Sequence, residues 1–275
     1  MFVFQHSVSA PIQPNDYVVR IQEQDVLLGQ RKEGLVLPRL RELGGITDST
    51  YRIFLGSWNQ SSCWAEAASD APPLQGEPLW EWRNLRGVLS LLSPDLFQAI
   101  ATAKHLLSWH QGQQFCSTCG YPLQDSTTER ARVCTHCHRI HYPIIAPAVI
   151  VAVRRDSQIL LAHGSKFTSG LHSVVAGFVE AGETLEQTVA REVREEVGLE
   201  IRDIHYVESQ PWPFPNSLMM GFTAEYAQGS IQVDQQEIDH ADWYSADNLP
   251  ELPRPGSIAR RLIYQTLGIS YKETR

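Results

Sequence analysis

The chain has 275 residues, 43% of them hydrophobic, and a formal charge of -8 at pH 7. That length can bury a sizeable core in two or three domains, and the acidity argues against a general phosphate-binding surface, so a polyphosphate substrate would need cations at the site itself. The opening MFVFQHSVSAPIQPND lacks the basic start and long apolar middle of a secretory signal, and the longest apolar run, IIAPAVIVAV from Ile144, is too short to span a bilayer; the expectation is a soluble, cytoplasmic protein with no membrane partner.

From residue 1 to about 92, short apolar runs alternate with turn signals such as QPND and APPLQGEP, which predicts a mostly β domain. Ser93 as cap and Pro94 in the first turn predict a helix with Leu96, Ile100, Ala103 and Leu107 on one face, running to Gly112. It closes an N-terminal domain over 1–112. The next segment, 113–143, holds Cys116-x2-Cys119-x14-Cys134-x2-Cys137. Paired CxxC knuckles favour tetrahedral zinc over disulfides in an intracellular chain, the gap is long enough for a hairpin to return, and four thiolates leave no open coordination position, so this zinc is expected to be structural. His136, His138 and His141 lack the symmetric spacing and read as surface histidines; Cys63 reads as buried and inert.

The segment 144–275 opens with AVIVAV and QILLAH, read as strands separated by RRDS. Thr184 with Gln187 reads as a capping box and Gly198 as a helix stop, with Leu185, Val189, Val193 and Val197 drawing an apolar stripe between them. IRDIHYVESQ, LMMGFTAEY and SIQVDQQE read as further strands and RPGSIARRLIYQTLG as a closing helix. Strands on both sides of a central helix, with a terminal helix, suit an α+β domain built as an α/β/α sandwich. No internal repeat and no low-complexity tract is visible.

The central helix carries Glu192, Glu195 and Glu196 within five residues. At about 100° per residue, Glu192 and Glu196 fall beside the apolar stripe and Glu195 roughly 60° further round, while Arg191 and Arg194 are expected to point mostly away. A solvated charge run would lie opposite the stripe, mixed with lysines. Like charges three and four apart repel, the more so when desolvated, so a cation should hold them; hard oxygen ligands suit Mg²⁺ or Mn²⁺. In Ser209-Gln-Pro-Trp-Pro-Phe-Pro-Asn-Ser217 the alternate prolines predict an extended, rigid loop that fixes Trp212 and Phe214 as an aromatic wall able to stack a flat ring.

Gly177, Glu183, Arg191, Glu192, Val193, Glu195, Glu196, Gly198 and Leu199 match G-x5-E-x7-R-E-U-x-E-E-x-G-U, with U aliphatic, at every fixed position. This resembles the Nudix box. Together with the cysteine knuckles and SQPWPFP-x-S, the chain from about 93 to 268 resembles the NADH pyrophosphatase branch of the Nudix hydrolases. The resemblance implies a Nudix α/β/α sandwich with a mixed sheet, preceded by a zinc ribbon and the mostly β domain. It implies cleavage of the pyrophosphate of NAD(H) to nicotinamide mononucleotide and AMP, removal of NAD caps from RNA 5′ ends, and a homodimer. It makes Glu192, Glu195, Glu196, Glu237 and the Ala176 carbonyl ligands of Mg²⁺ or Mn²⁺, with Glu195 or Glu196 as the base, and pairs Glu183 with Arg191 to brace the loop. The stretch Gln210, Pro211, Trp212, Pro213, Phe214, Pro215, Asn216 and Ser217 would line the dinucleotide pocket, Phe178 would supply a second face for a ring, and Arg86, Glu129, Tyr142 and Ala259 would contact substrate. Two other readings stay open: a Nudix hydrolase of another nucleoside diphosphate derivative such as ADP-ribose, and a zinc-ribbon RNA-binding protein with an inactive hydrolase domain.

Overall fold

Apolar runs of the length seen here must pair as strands to satisfy their backbone, and the computed structural model shows which ones do. It describes residues 1–5, 11–32, 34–43, 51–68, 78–167 and 169–270; the turn signal APPLQGEP lies, over 71–77, outside them. Contacts divide the chain into two units, Met1–Ile144 with Pro213–Pro215, and Ile145–Trp212 with Asn216–Arg275.

In the first unit, β1 (Phe2–Phe4), β2 (Tyr17–Gln22), β3 (Asp25–Arg31), β4 (Gly34–Val36), β5 (Arg52–Trp58), β6 (Ser61–Ala67) and β7 (Trp80–Asn84) form one sheet in the order β1-β5-β6-β2-β3-β4, with β7 paired to β3. β2 runs parallel to β6; β2–β3 and β5–β6 are antiparallel hairpins. A single turn, α1 (Leu85–Val88), leads towards α2 (Pro94–Gly112). The Ser93 hydroxyl accepts from the Leu96 N–H at 3.4 Å, and Leu96, Ile100, Ala103 and Leu107 are all buried against Val19, Ile21, Leu55 and Ala65. Cys63 lies in that core, where burial pushes its thiol up to about 12. The ribbon strands β8 (Leu123–Asp125), β9 (Arg132–Cys134) and β10 (Ile140–His141) follow, antiparallel in the order β10-β9-β8. So small a sheet has little apolar core, and buried Arg132 helps to tie it together through the carbonyls of Gln113 (2.5 Å) and Leu123 (2.9 Å).

The second unit contains β11 (Ala146–Arg155), β12 (Gln158–Gly164), β13 (Val175–Phe178), α3 (Leu185–Val197), β14 (Glu200–Trp212), β15 (Ser217–Gln228), β16 (Ile238–Tyr244) and α4 (Ile258–Thr266). Its mixed sheet runs β14-β15-β11-β12-β16, with β13 on β11. Side chains alternate along a strand: Val149, Val151 and Val153 of β11 pack with Val189, Val193 and Val197 of α3, while Ile150 and Ala152 pack with Ile258, Leu262 and Ile263 of α4. The α/β/α sandwich follows from that alternation.

Four local expectations change. The β11 and β12 strands extend through Arg154, Arg155 and Gln158, leaving a two-residue turn in which Asp156 takes φ 55°. SIQVDQQE is not a strand: its Gln232 and Asp234 N–H groups donate to the Val197 and Glu196 carbonyls at 2.9 and 3.2 Å, satisfying the end of α3 that a helix leaves open. Ser209–Ser217 is not one extended loop, because β14 continues through Pro211 and Trp212 and only 213–216 turn before Ser217 opens β15; β14 is an edge strand, where a residue without an N–H is tolerated. His141 is buried, unlike exposed His136 and His138.

The chain also repeats itself in space, although no repeat is visible in its sequence. Hairpin β2–β3, parallel pair β2–β6, hairpin β5–β6, then β7 on β3 and α2, retrace hairpin β11–β12, parallel pair β11–β15, hairpin β14–β15, then β16 on β12 and α4.

Candidate active site

The acid helix is fixed at both ends by its own sequence. Thr184 accepts from the Gln187 N–H at 3.3 Å while Gln187 accepts from the Thr184 N–H at 2.8 Å, and Gly198 closes the helix with φ 70°, a conformation in which a side chain would be strained. This register buries Glu192 and Glu196 and leaves Glu195 exposed. Gly177 on β13 lies against Glu192, so closely that a Cβ there would come within 1.9 Å of the Glu192 carboxyl carbon; glycine is required here for space.

Arg191 does not point away. Its five N–H donors are all used: Nε and Nη2 hold Glu183 in a fork at 2.6 and 2.9 Å, Nη2 also reaches the Phe178 carbonyl at 2.9 Å, and Nη1 reaches Glu192 at 2.8 Å and Glu195 at 3.0 Å. A long side chain can bend back where backbone register alone would aim it outward, and bidentate pairing rewards that. The Arg191 guanidinium holds Glu183 down to about 2, helped by the Glu180 N–H and the Thr188 hydroxyl against burial. Arg194 is exposed, as expected.

Glu196 is different. One of its oxygens, Oε2, is buried without a hydrogen-bond partner. Burial first, then the charges of Glu192, Glu237, Asp234 and Glu195, push its carboxyl up to about 8. Burial likewise raises Glu192, with Arg191 opposing. An orphaned carboxylate oxygen among four other acids is a place for a cation, and the all-oxygen donor set fits a hard divalent ion. Among the described residues the acidic oxygens are nevertheless not gathered into one ligating group as the cysteines are; Arg191 draws Glu192 and Glu195 to itself.

Glu237 lies in the bend before β16, exposed, and is felt electrostatically by both Glu192 and Glu196. The bend is made by Asp234, whose carboxylate accepts from the N–H groups of Gln236, Glu237 and Ile238 at 2.9 to 3.2 Å. Asp234 is the acid that sequence reasoning missed; its signal was an Asp three positions before Glu237, the spacing of a side-chain-capped turn. Ala176 occupies β13 opposite Ile150, and Phe178 at its end is 56% exposed.

The remaining expected contacts fall in both units. In the first, Tyr142 donates to Glu129 at 3.0 Å, which raises the phenol. The Arg86 guanidinium stacks 4.1 Å from the Phe214 ring centre within a cavity of about 410 Å³ lined by Gln24, Asn84, Arg86, Lys104, Ser108 and the Pro213–Pro215 turn. In the second, Trp212 and Asn216 are half-buried, Pro211 is exposed and Ser217 buried. The Gln210 amide is engaged with the start of α4, donating to the Gly256 carbonyl at 2.9 Å and accepting from the Ile258 N–H at 2.8 Å, and Ala259 is buried in that helix.

The four cysteine sulfurs lie within 4.8 Å of one another, with Cys116–Cys137 at 3.7 Å and Cys119–Cys134 at 3.4 Å, near the separations of sulfurs around tetrahedral zinc. Backbone N–H groups of Thr118, His136 and Cys137 point at them, each at 3.4 Å. The donor set fits a structural Zn²⁺.

A capped acid helix laid over a mixed sheet, braced by one arginine and accompanied by a four-thiol ribbon, defines a metal-dependent pyrophosphohydrolase of the Nudix type. Family models match in three places: the NUDIX domain over 145–267, the NADH pyrophosphatase-like rudimentary NUDIX domain over 15–109, and the NADH pyrophosphatase zinc ribbon domain over 113–142. Among curated relatives, the NAD-capped RNA hydrolase NudC of Klebsiella pneumoniae (strain 342) is 49% identical over 207 residues, covering 72% of this chain and 80% of that protein. NudC of Salmonella paratyphi C (strain RKS4594) is 47% identical over 206 residues with the same coverage. A solved NUDIX hydrolase from Nitrosomonas europaea is 23% identical and covers 56% of this chain and 88% of its own, with a TM-score of 0.45. The chain belongs to the Nudix hydrolases, in their NADH pyrophosphatase branch, and is an enzyme.

Proposed function

We propose that the enzyme hydrolyses the pyrophosphate of NAD(H) to nicotinamide mononucleotide and AMP with Mg²⁺ or Mn²⁺, and removes NAD caps from RNA, as a cytoplasmic homodimer. The relatives' names support the substrate class; the observation that carries the chemistry is the buried, unpartnered Glu196 oxygen among acids. The proposal divides the chain into 1–112, a ribbon over 113–143 and a hydrolase domain over 144–275.

When bound, the divalent cation supplies charge neutralisation at phosphate oxygens and acidifies water. Glu192, Glu195, Glu196, Glu237 and the Ala176 carbonyl are the proposed holders. We assign the water's proton to Glu196 rather than Glu195: Glu196 is buried with one oxygen free of any hydrogen bond, able to accept a proton, whereas Glu195 is exposed and bound to Arg191. Arg191 keeps Glu192 and the loop bearing Glu183 in register. Phe178, exposed at the end of β13, offers a face to a ring, and Gln210–Ser217 with Arg86, Glu129, Tyr142 and Ala259 form the proposed substrate contacts; holding the dinucleotide so that water attacks in line lowers the entropic part of the barrier by several kcal/mol.

The test is product mass spectrometry on NADH, NAD⁺, ADP-ribose and NAD-capped RNA with Mg²⁺ or Mn²⁺ in ¹⁸O-water. Nicotinamide mononucleotide and AMP, one of them carrying a single ¹⁸O, are expected from NAD(H), and a 5′-monophosphate end from the RNA. Faster turnover of ADP-ribose than of NADH would overturn the substrate, and RNA binding without hydrolysis of any of the four would overturn the reaction.

A further inference from the structure

Three histidines gather around the end of β12, and one of them is held in a way that fixes its charge. The ring of His163 lies between two oxygens: Nδ1 is 2.6 Å from Asp239 Oδ1, and Nε2 is 2.8 Å from the Ser169 carbonyl. A carboxylate and a carbonyl only accept. Both ring nitrogens therefore carry protons, and His163 is an imidazolium. The His172 ring stands 5.4 Å away; its Nδ1 donates to the Gly170 carbonyl at 2.9 Å, which leaves Nε2 to accept from His240 Nδ1 at 3.1 Å. Those two rings bond to each other. Among the described residues, the charged side chain bonded to the His163 ring is Asp239. The Ser169 carbonyl and then Asp239, acting against burial, raise the proton affinity of His163 in the same sense.

What His163 grips is an irregular place in the sheet. Along β12 and β16, Ala162 faces Ala241 and His163 faces His240, but Gly164 faces Ile238. Asp239 is left over, the extra residue of a β-bulge, and a bulge re-aims the chain around it. Two residues earlier stands Glu237. Its carbonyl accepts from the Ser165 N–H at 2.8 Å, and the neighbouring Gln236 carbonyl accepts from the Ser165 hydroxyl at 2.7 Å. The end of β12 thus holds this segment before the bulge through Ser165 and at the bulge through His163. We propose that His163 is a positioning residue for Glu237: its imidazolium ties the bulge residue Asp239 to the Ser169 carbonyl and so fixes the direction in which Glu237 is presented. The inference rests on the role of Glu237 as a metal holder proposed above. A side chain with donors at one end only can satisfy one of the two oxygens, and the bulge is then released.

In the metal-free full-length protein at neutral pH, long-range ¹H–¹⁵N spectra should show protons on both His163 nitrogens. His163→Gln, with a single donor nitrogen, should speed amide exchange at Ser165 and Ile238 by roughly 10-fold or more. Mn²⁺ binding, followed by electron paramagnetic resonance of the free ion, should weaken by about 10-fold, within the range for groups that orient metal ligands. It should do so only where Glu237 is present: in a Glu237→Gln background, His163→Gln should change nothing further, whereas a loss through packing would appear equally in both backgrounds. Asp239 is exposed and offers variants that leave the core alone. Asp239→Leu should reproduce both effects, and Asp239→Asn, whose amide oxygen still accepts, should not. A His163 ring with one bare nitrogen, unchanged exchange in both His163→Gln and Asp239→Leu, or equal losses of Mn²⁺ affinity with and without Glu237 would overturn the proposal. Glu237→Gln binding Mn²⁺ as tightly as wild type would instead refute the reading on which it rests.

Discussion

At the scale of the residue, two buried glutamates, one in each unit, have opposite surroundings. Glu66 in the first unit is 2% exposed and held by Arg20 at 3.0 Å and Arg52 at 2.7 Å. Glu196 is 5% exposed and surrounded by acids. Its carboxyl, at about 8, binds protons more tightly in the folded chain than in the unfolded chain, where it titrates near 4.5. Its contribution to stability is therefore complete below the unfolded value and is lost as pH rises through about 8. Without Mg²⁺ or Mn²⁺, the wild-type melting temperature should carry a component that falls between about pH 5 and 8, and Glu196→Gln should lack it and be the more stable protein at pH 8. At saturating Mg²⁺ the same variant should lose NADH hydrolysis by roughly 10²-fold or more. Thermal unfolding and turnover, measured side by side, check both; near-normal turnover would refute a metal-site role. Sequence periodicity made the burial of Glu192 and Glu196 legible. It did not show Arg191 turning back, because a flexible side chain with five donors is placed by its partners rather than by its Cα.

At the scale of the element, α3 was the most legible part of the chain, since its caps, stripe and stop are all local signals. Removing the Thr184 hydroxyl leaves the Gln187 N–H open, so Thr184→Ala should cost about 1 kcal/mol, read as a lowered denaturation midpoint, while Thr184→Ser should restore it. The turnover of folded Thr184→Ala at saturating metal should stay close to wild type, because the glutamates lie further along the helix. What sequence could not show were elements defined by distant partners. The stretch 230–237 has strand-like residues, yet its Gln232 and Asp234 N–H groups go to the open carbonyls of α3. Pro211 looked like part of a loop without ladder donors, yet it stands in an edge strand, opposite Leu218, where a residue without an N–H is tolerated. His141 looked like a surface histidine because nothing local announced that Gln113 would receive it.

At the scale of the whole molecule, two units share a chain but divide its chemistry. A ligand that binds the native state raises the free energy of those openings that dismantle its site. Adding Mg²⁺ should therefore slow amide hydrogen exchange in α3, β13 and the 232–237 segment of the second unit and leave the β sheet of the first unit unchanged. Exchange followed by mass spectrometry, peptide by peptide, measures this; protection spread evenly over β1 to β7 would refute it.

The repeated strand path has a consequence for descent. A duplicated path with no visible sequence repeat is what remains when one coding unit is copied in tandem and its halves then answer to different demands. Where the second copy carries a glycine-backed acid helix between β12 and β14, the described part of the first carries β4 and a single turn over Leu40–Leu43 between β3 and β5. The two strand paths can agree while the sites differ, because a sheet needs only apolar side chains at alternate positions, which many sequences supply, whereas a metal site needs particular acids. The first unit keeps the strand path of the hydrolase domain, and its described residues between β3 and β5 hold no counterpart of the acid helix.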